Sequence, residues 1–388
     1  MSLEGVRRIP LRPALGLLLL TGAPPLAAAT LRRGEAQTPA AAREELAAFA
    51  ATFDDAAAWK RRAEDIRRGI LRGAGLDPLP ARSPLQPLLG PVQQRAGYSV
   101  QPVAFESLRG FFVTAALYRP ADAAGRRMPA VLIFHGHGDP ATAGRYHESK
   151  QKLGATLARM GATALTVNMV GYGDSDQYPH RGDKTLALQL WNGIRALDFL
   201  ESLPEVDRSR LAVTGESGGG TQTFLLTAVD RRVAAAAPVV MVSAHFFGGC
   251  SCESGMPIHQ SDAHLTNNAE IAALAAPRPL LLVSDGKDWT RFNPDVEFPY
   301  VKRVYALLGA PEAVANVHLA DEGHDYGPSK RAAVYRFLAH HFGLPPPPSE
   351  DDITLESVET LRLFSPSHPR PAHAVADPGV VEAFLSAR

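Results

Sequence analysis

The spacing of hydrophobic positions changes twice along this chain. Residues 40–53 and 56–71 carry apolar side chains at helical spacing, with Trp59, Ile66, Ile70 and Leu71 on one side of the second segment. Gly73, Gly75, Pro78 and Pro80 end that pattern. Residues 98–105 and 110–118 then alternate apolar and polar positions, which predicts a hairpin. Residues 128–134 form a continuous apolar run, as expected of a strand buried on both faces. Further strand-like runs lie at 162–168, 211–213, 235–242, 279–284 and 315–319. Helical segments at 146–160, 186–203, 221–229, 269–274, 299–308 and 329–342 separate them. Strands that alternate with helices predict an α/β fold: a doubly wound, mostly parallel sheet, here with an N-terminal helical extension. Residues 343–388 include the run Pro345 to Pro348 and one small apolar patch at 355–364, and read as a tail packed on the surface.

The first residues follow a different logic. Arg7, Arg8 and Arg12 make a basic start, residues 14–20 an apolar core, and Ala27-Ala28-Ala29 a small-residue cleavage pattern. The apolar run is far shorter than the ~20 residues that cross a bilayer. It predicts a cleaved signal peptide over 1–29 and an exported protein, periplasmic or extracellular, without a membrane anchor. Arg7-Arg8 hints at a twin-arginine route, although Ile9-Pro10 fits that motif poorly. The remaining chain divides into the helical extension, 30–94, the α/β domain, 95–343, and the tail, 344–388. Lys+Arg and Asp+Glu both number 40, so no basic footprint points to a nucleic acid or another polyanion. With 45% hydrophobic residues among 388, the chain can bury a large core.

The candidate chemistry centres on Gly215-Glu216-Ser217-Gly218-Gly219, between an apolar run and a helical segment. Gly-x-Ser-x-Gly at a strand-to-helix turn lifts a nucleophilic serine to the apex of a sharp turn. Open α/β sheets collect their functional residues at the carboxyl ends of the strands, so the loops after later strands supply partners. Asp285 and Asp288 follow the 279–284 run, and His324 follows 315–319 within Glu322-Gly323-His324-Asp325. Ser217 would attack a carbonyl, His324 would carry the proton, and Asp288 would hold the imidazole. Asp288 is preferred because it lies deeper in its loop, whereas Asp285 suits an Asx turn. The loop His135-Gly136-His137-Gly138 follows the 128–134 strand. It offers the His137 backbone N–H, beside that of Gly218, to an oxyanion. His135 reads as a structural residue bonded to that loop. Neither a metal nor a cofactor is expected: His135 and His137 alone are a weak metal pattern.

His135-Gly136-His137-Gly138, Gly171-Tyr172-Gly173-Asp174-Ser175, 215–221, Ala276-Pro277-Arg278-Pro279-Leu280 and Gly323-His324 together resemble the α/β hydrolase superfamily. Within it the chain is similar to the acetyl xylan esterase-like and dienelactone hydrolase-like branch, which borders the prolyl oligopeptidase catalytic domain. The likeness covers roughly 95–343 and implies a metal-free serine esterase working through an acyl-enzyme. No β-propeller precedes the catalytic region, unlike the long peptidases. The expected function is an exported carboxylic-ester hydrolase acting on acylated carbohydrate of the acetyl xylan type, or another small-molecule ester. A peptidase or amidase and a non-catalytic binding protein on the same fold are the alternatives.

The stretch 242–253 holds the only two cysteines, Cys250 and Cys252, among glycines and aromatics. Its place after a strand predicts a wall over the site. Phe246 and Phe247, with Trp289 and Tyr172, are the candidate substrate-binding side chains. A disulfide across one intervening residue would be strained. A zinc site from Cys250, Cys252, His259 and His264 is a weaker pattern than two small buried thiols.

Overall fold

A computed structural model describes residues 31–123 and 125–386; the expected signal peptide lies outside the described residues. The extension forms α1 (Pro39–Ala50) and α2 (Ala56–Gly73), capped by the side chains of Thr38 and Asp55. Next come β1 (Leu88–Leu89), β2 (Gln93–Arg95), β3 (Tyr98–Leu108), β4 (Phe111–Pro120) and β5 (Met128–Phe134). The alternating units follow: α3 (Glu148–Arg159), β6 (Thr163–Val167), α4 (Thr185–Ser202), β7 (Val206–Glu216), α5 (Gly218–Val229) and β8 (Val233–Val239). A short stretch of α6 (Ser251–Ser254), β9 (Gln260–Ser261), β10 (His264–Leu265) and α7 (Asn268–Ala273) precedes β11 (Leu280–Asp285). The order closes with α8 (Glu297–Leu307), β12 (Val314–Leu319), α9 (Pro328–Phe342), α10 (Val358–Leu361) and α11 (Pro378–Ser386).

Ten strands form one sheet in the order β1-β3-β4-β6-β5-β7-β8-β11-β12, with β2 beside β3. From β6 to β12 neighbouring strands run parallel, and β3 and β4 form the expected antiparallel hairpin. Every residue of β5, β6 and β11 is buried, as their uninterrupted apolar character requires. One core packs α1, α2, α4, α5, α7 and α8 on one face of the sheet; the other packs α3, α9 and α10 on the opposite face. The extension is therefore a part of the first core, through Phe49, Trp59, Ile66 and Ile70. Among the described residues no helix is long and apolar enough to cross a membrane.

Up to α9 the sequence pattern located every long element to within a few residues, apart from the start of β7 at Val206. It gave no element for 251–265, which folds as α6, β9 and β10. It also placed only one apolar patch after α9, whereas α11 adds a second: Val381 and Leu385 enter the first core. This terminal stretch is tied to the sheet by polar bonds as well. Arg145 and Asp174 form a fully buried ion pair at 2.8 Å. Arg145 also donates to the Leu361 carbonyl, while Asp174 accepts from the backbone N–H groups of Leu363 and Phe364. Gln177 donates to the Val375 carbonyl and Tyr178 to Glu382.

Removing one member of such a pair leaves the other charged and unpaired in the interior. Asp174→Asn should therefore cost about 3–5 kcal/mol of stability in urea denaturation and expose 345–375 to proteolysis. A second expectation concerns pH. Glu297, buried at the start of α8, accepts the Ala244 N–H at 2.8 Å, and burial pushes its carboxyl up to about 7. The folded state then holds the proton more tightly than the unfolded one, so stability falls as pH rises from the ordinary carboxylate range through about 7. Glu297→Gln should remove that slope, gaining on the parent by something on the order of 3 kcal/mol between pH 5 and pH 8 in paired thermal melts.

Candidate active site

β7 ends at Glu216 and α5 begins at Gly218, leaving Ser217 alone on the turn with φ 55° and ψ −126°. Such a backbone is strained for a residue with a side chain and persists only where packing dictates it. The packing here is severe. A Cβ on Gly215 would lie 2.6 Å from the Gly219 carbonyl oxygen and 2.7 Å from that of Phe134. A Cβ on Gly219 would meet the carbonyl oxygens of Phe134 and His135, each at 2.7 Å. The turn is thus pressed against the end of β5, which only glycine allows. The Ser217 N–H donates to the Val239 carbonyl on β8 at 3.1 Å, tying the apex to that strand.

The loops after β11 and β12 bring Asp288 and His324 together. His324 Nδ1 lies 2.7 Å from Asp288 Oδ2. The other carboxylate oxygen accepts from the Thr290 hydroxyl at 2.6 Å and from the Thr290 N–H, so the carboxylate cannot turn away. Asp285 sits elsewhere. It is buried, accepts the Lys287 N–H in an Asx turn and faces Lys330 at 3.5 Å, and burial raises its carboxyl. Ser217 and His324 line one cleft of about 470 Å³ with His135, His137, His147, Lys150, Glu216 and Tyr326.

The loop after β5 forms the opposite wall. His135 is fully buried: Nδ1 donates to the Gly136 carbonyl at 2.7 Å and Nε2 accepts the Met169 N–H at 2.8 Å. Burial holds it neutral, down to about 3, which suits this structural role. The backbone N–H groups of His137 and Gly218 have no hydrogen-bond acceptor among the described residues. Gly218 also opens α5, where the helix dipole favours negative charge. The His137 ring lies over it, since a Cβ on Gly218 would meet the ring's Cε1 at 2.7 Å.

The four expected wall residues part company. Trp289 packs against the His324 ring at 4.5 Å between centroids and stacks on Phe246 at 4.0 Å. Phe247 is fully buried, between His259 and the Arg32 guanidinium, and belongs to the interior. Tyr172 is 3% exposed, and its hydroxyl bonds to the backbone of Gly138. It supports the β5 loop from behind rather than facing the cleft. Two charged residues with no role assigned from sequence do line it: Lys150 of α3 and Glu216 pair at 2.7 Å beside Ser217.

The cysteines are free thiols. They do not gather His259 and His264, which bond instead to Asn268 and to the Ile258 carbonyl. The fold sets them beside His137 and His180, with the four ligand atoms within 4.8 Å of one another. His180, in the loop after β6, had no reading from the sequence.

No family model matches this chain. The structure is similar to that of Methylesterase BT1017, with a TM-score of 0.83 and 38% identity over 92% of this chain and 80% of that one. A glucuronoyl esterase from Solibacter usitatus shares the fold alone, at TM-score 0.56 and 18% identity, over 82% of this chain and 100% of that one. Among curated proteins, the chain is 29% identical over 220 residues to polyketide transferase claH of Penicillium crustosum, covering 54% of this chain and 67% of that protein. It spans about a third (34%) of an uncharacterized Pseudomonas aeruginosa protein, PA2218, at 32% identity over 133 residues, 34% of this chain. The extent of the match to BT1017, read together with the serine turn and the sheet beneath it, makes this chain a member of the α/β hydrolase-fold serine esterases, a family of carboxylic-ester hydrolases.

Proposed function

We propose that this protein is an exported carbohydrate esterase working through Ser217, His324 and Asp288. The observation that carries the reading is the 2.7 Å bond between His324 Nδ1 and an Asp288 carboxylate already fixed by Thr290, in the cleft that Ser217 shares. Asp288 holds the proton on Nδ1, so Nε2 is the basic nitrogen. It takes the Ser217 Oγ proton as the oxygen attacks the ester carbonyl. The oxyanion receives the N–H groups of Gly218 and His137, each worth about 3 kcal/mol in the transition state. His324 returns the proton to the departing alcohol, and water then releases the acid from Ser217 by the same steps reversed.

The ester itself is inferred from likeness and from the cleft wall. The 38% identical relative is named a methylesterase, and a fold neighbour is named a glucuronoyl esterase. Lys150, Glu216, His147 and Ser149 give the cleft a polar wall suited to sugar hydroxyl and carboxyl groups. The reading is therefore a methyl ester of a sugar acid, ahead of the acetylated xylan expected from the sequence. The basic and small-residue pattern of 1–29 supports export.

Ser217→Ala should lower kcat/KM by a factor on the order of 10⁵ or more and abolish labelling by a fluorophosphonate probe. Asp288→Asn should cost about 10⁴ in kcat with the fold intact by circular dichroism, and Asp285→Asn far less; the reverse ranking would overturn the choice of acid. Methanol release from methyl glucuronate and methyl galacturonate should outpace acetate release from acetylated xylan. Faster acetate release would restore the acetyl ester reading, and turnover of prolyl amides alone would replace both with a peptidase.

A further inference from the structure

The cleft wall ends in a cluster that the ester chemistry leaves unused. Three loops, after β5, β6 and β8, each send side chains to one point: His137, His180, and Cys250 with Cys252. His137 Nε2 is 3.1 Å from His180 Nε2 and 3.2 Å from Cys252 Sγ, and Cys250 Sγ is 3.4 Å from His180 Nε2. A tetrahedral zinc ion with bonds of about 2.0–2.1 Å to nitrogen and 2.3 Å to sulfur has N···N edges of about 3.3 Å and N···S edges of about 3.6 Å. The observed separations match those edges to within a few tenths of an ångström.

Proton positions point the same way. His180 Nδ1 bonds to the Val170 carbonyl oxygen at 2.7 Å. A carbonyl only accepts, so Nδ1 carries the hydrogen and Nε2 presents a bare lone pair to the cluster. A backbone carbonyl fixing the far nitrogen is the usual support of a metal-bound imidazole. Cys250 caps α6, and Glu253 accepts the Cys250 N–H at 3.0 Å, which sets both thiols on one side of a short turn. Exposure falls from His137, which is open to solvent, to Cys252, which is buried, so an ion can enter from the surface.

We propose that His137, His180, Cys250 and Cys252 bind one zinc ion. Two thiolates and two imidazoles in a tetrahedron favour zinc among the common divalent metals. Four protein ligands leave no open coordination position, so the ion is structural and takes no part in ester hydrolysis. Its role is to clamp the loops after β5, β6 and β8 together. His137 is then a positioning residue through its side chain: the ion fixes the peptide whose N–H faces the oxyanion. That last step rests on the esterase mechanism above; zinc binding does not.

The test uses the full chain, purified without added metal. Elemental analysis by mass spectrometry should find about one zinc per chain, and titration with an organomercurial should release it as two thiols react. Cobalt(II), replacing zinc after dialysis against a strong chelator, should give the intense visible bands of a tetrahedral site and a thiolate-to-cobalt absorption in the near ultraviolet. Cys250→Ser/Cys252→Ser should lose the metal at least about tenfold while keeping the parent's circular dichroism, and its kcat should fall with KM little changed. Ser217→Ala should keep a full complement of zinc while losing activity, so a failed ester mechanism and a failed metal site give different results. Three results would overturn the proposal: a wild-type chain that stays metal-free after incubation with zinc, a Cys250–Cys252 disulfide by mass, or zinc retained in the folded double variant. If the double variant does not fold, the organomercurial release from wild-type protein decides alone.

Discussion

Everything at this site depends on how closely the turn after β7 approaches the end of β5. Gly215 and Gly219 lie against the carbonyl oxygens of Phe134 and His135 at distances that exclude any Cβ. That approach raises Ser217 between two strands, starts α5 one residue later, and sets the first N–H of the helix beside Ser217. The strain at Ser217 is borne by the surrounding sheet, whose central strands are wholly buried.

The strand order explains why the remaining groups divide into two sets. β11 and β12 lie on one side of β7, beyond β8, and supply Asp288 and His324. β5 and β6 lie on the other side and supply His137 and His180, while the long excursion after β8 returns Cys250 and Cys252 to them. Ser217 stands where the two sets meet. The Asp288–His324 pair and the His/Cys cluster therefore lie on opposite sides of Ser217, and only His137 of the cluster lines the cleft.

Sequence spacing pointed to the first set and missed most of the second, for a physical reason. A strand-to-helix turn carries a local glycine signature, and Asp288 and His324 follow closely on the ends of β11 and β12, so strand ends alone pointed to them. The choice of Asp288 over Asp285 rested on depth in the loop, and the structure puts only Asp288 beside His324. The cluster has no local signature. Its contacts join residues 43, 70 and 115 positions apart, and His180 lies in a loop without periodicity. Sequence proximity paired the cysteines with His259 and His264, which the fold directs toward Asn268 and Ile258. Lys150 and Thr290 were equally silent, one an ordinary helix cation in sequence and the other a loop hydroxyl. Phe247 and Tyr172 show the converse error: an aromatic near a site is more often interior packing than a wall.

The buried Arg145–Asp174 pair also bears on the order in which this chain becomes competent. Asp174 and His180 lie on the same loop after β6, and that loop is closed from outside by Leu361, Leu363, Phe364, Val375 and Glu382. Synthesis as far as α9 provides every strand of the sheet and all of Ser217, Asp288 and His324. It already provides Gly110, Phe112, Thr114 and Arg145, which bond the β6 loop from one side, and lacks only the partners on the other side. The segment beyond α9 therefore adds the last hydrogen bonds to the loop that also carries His180.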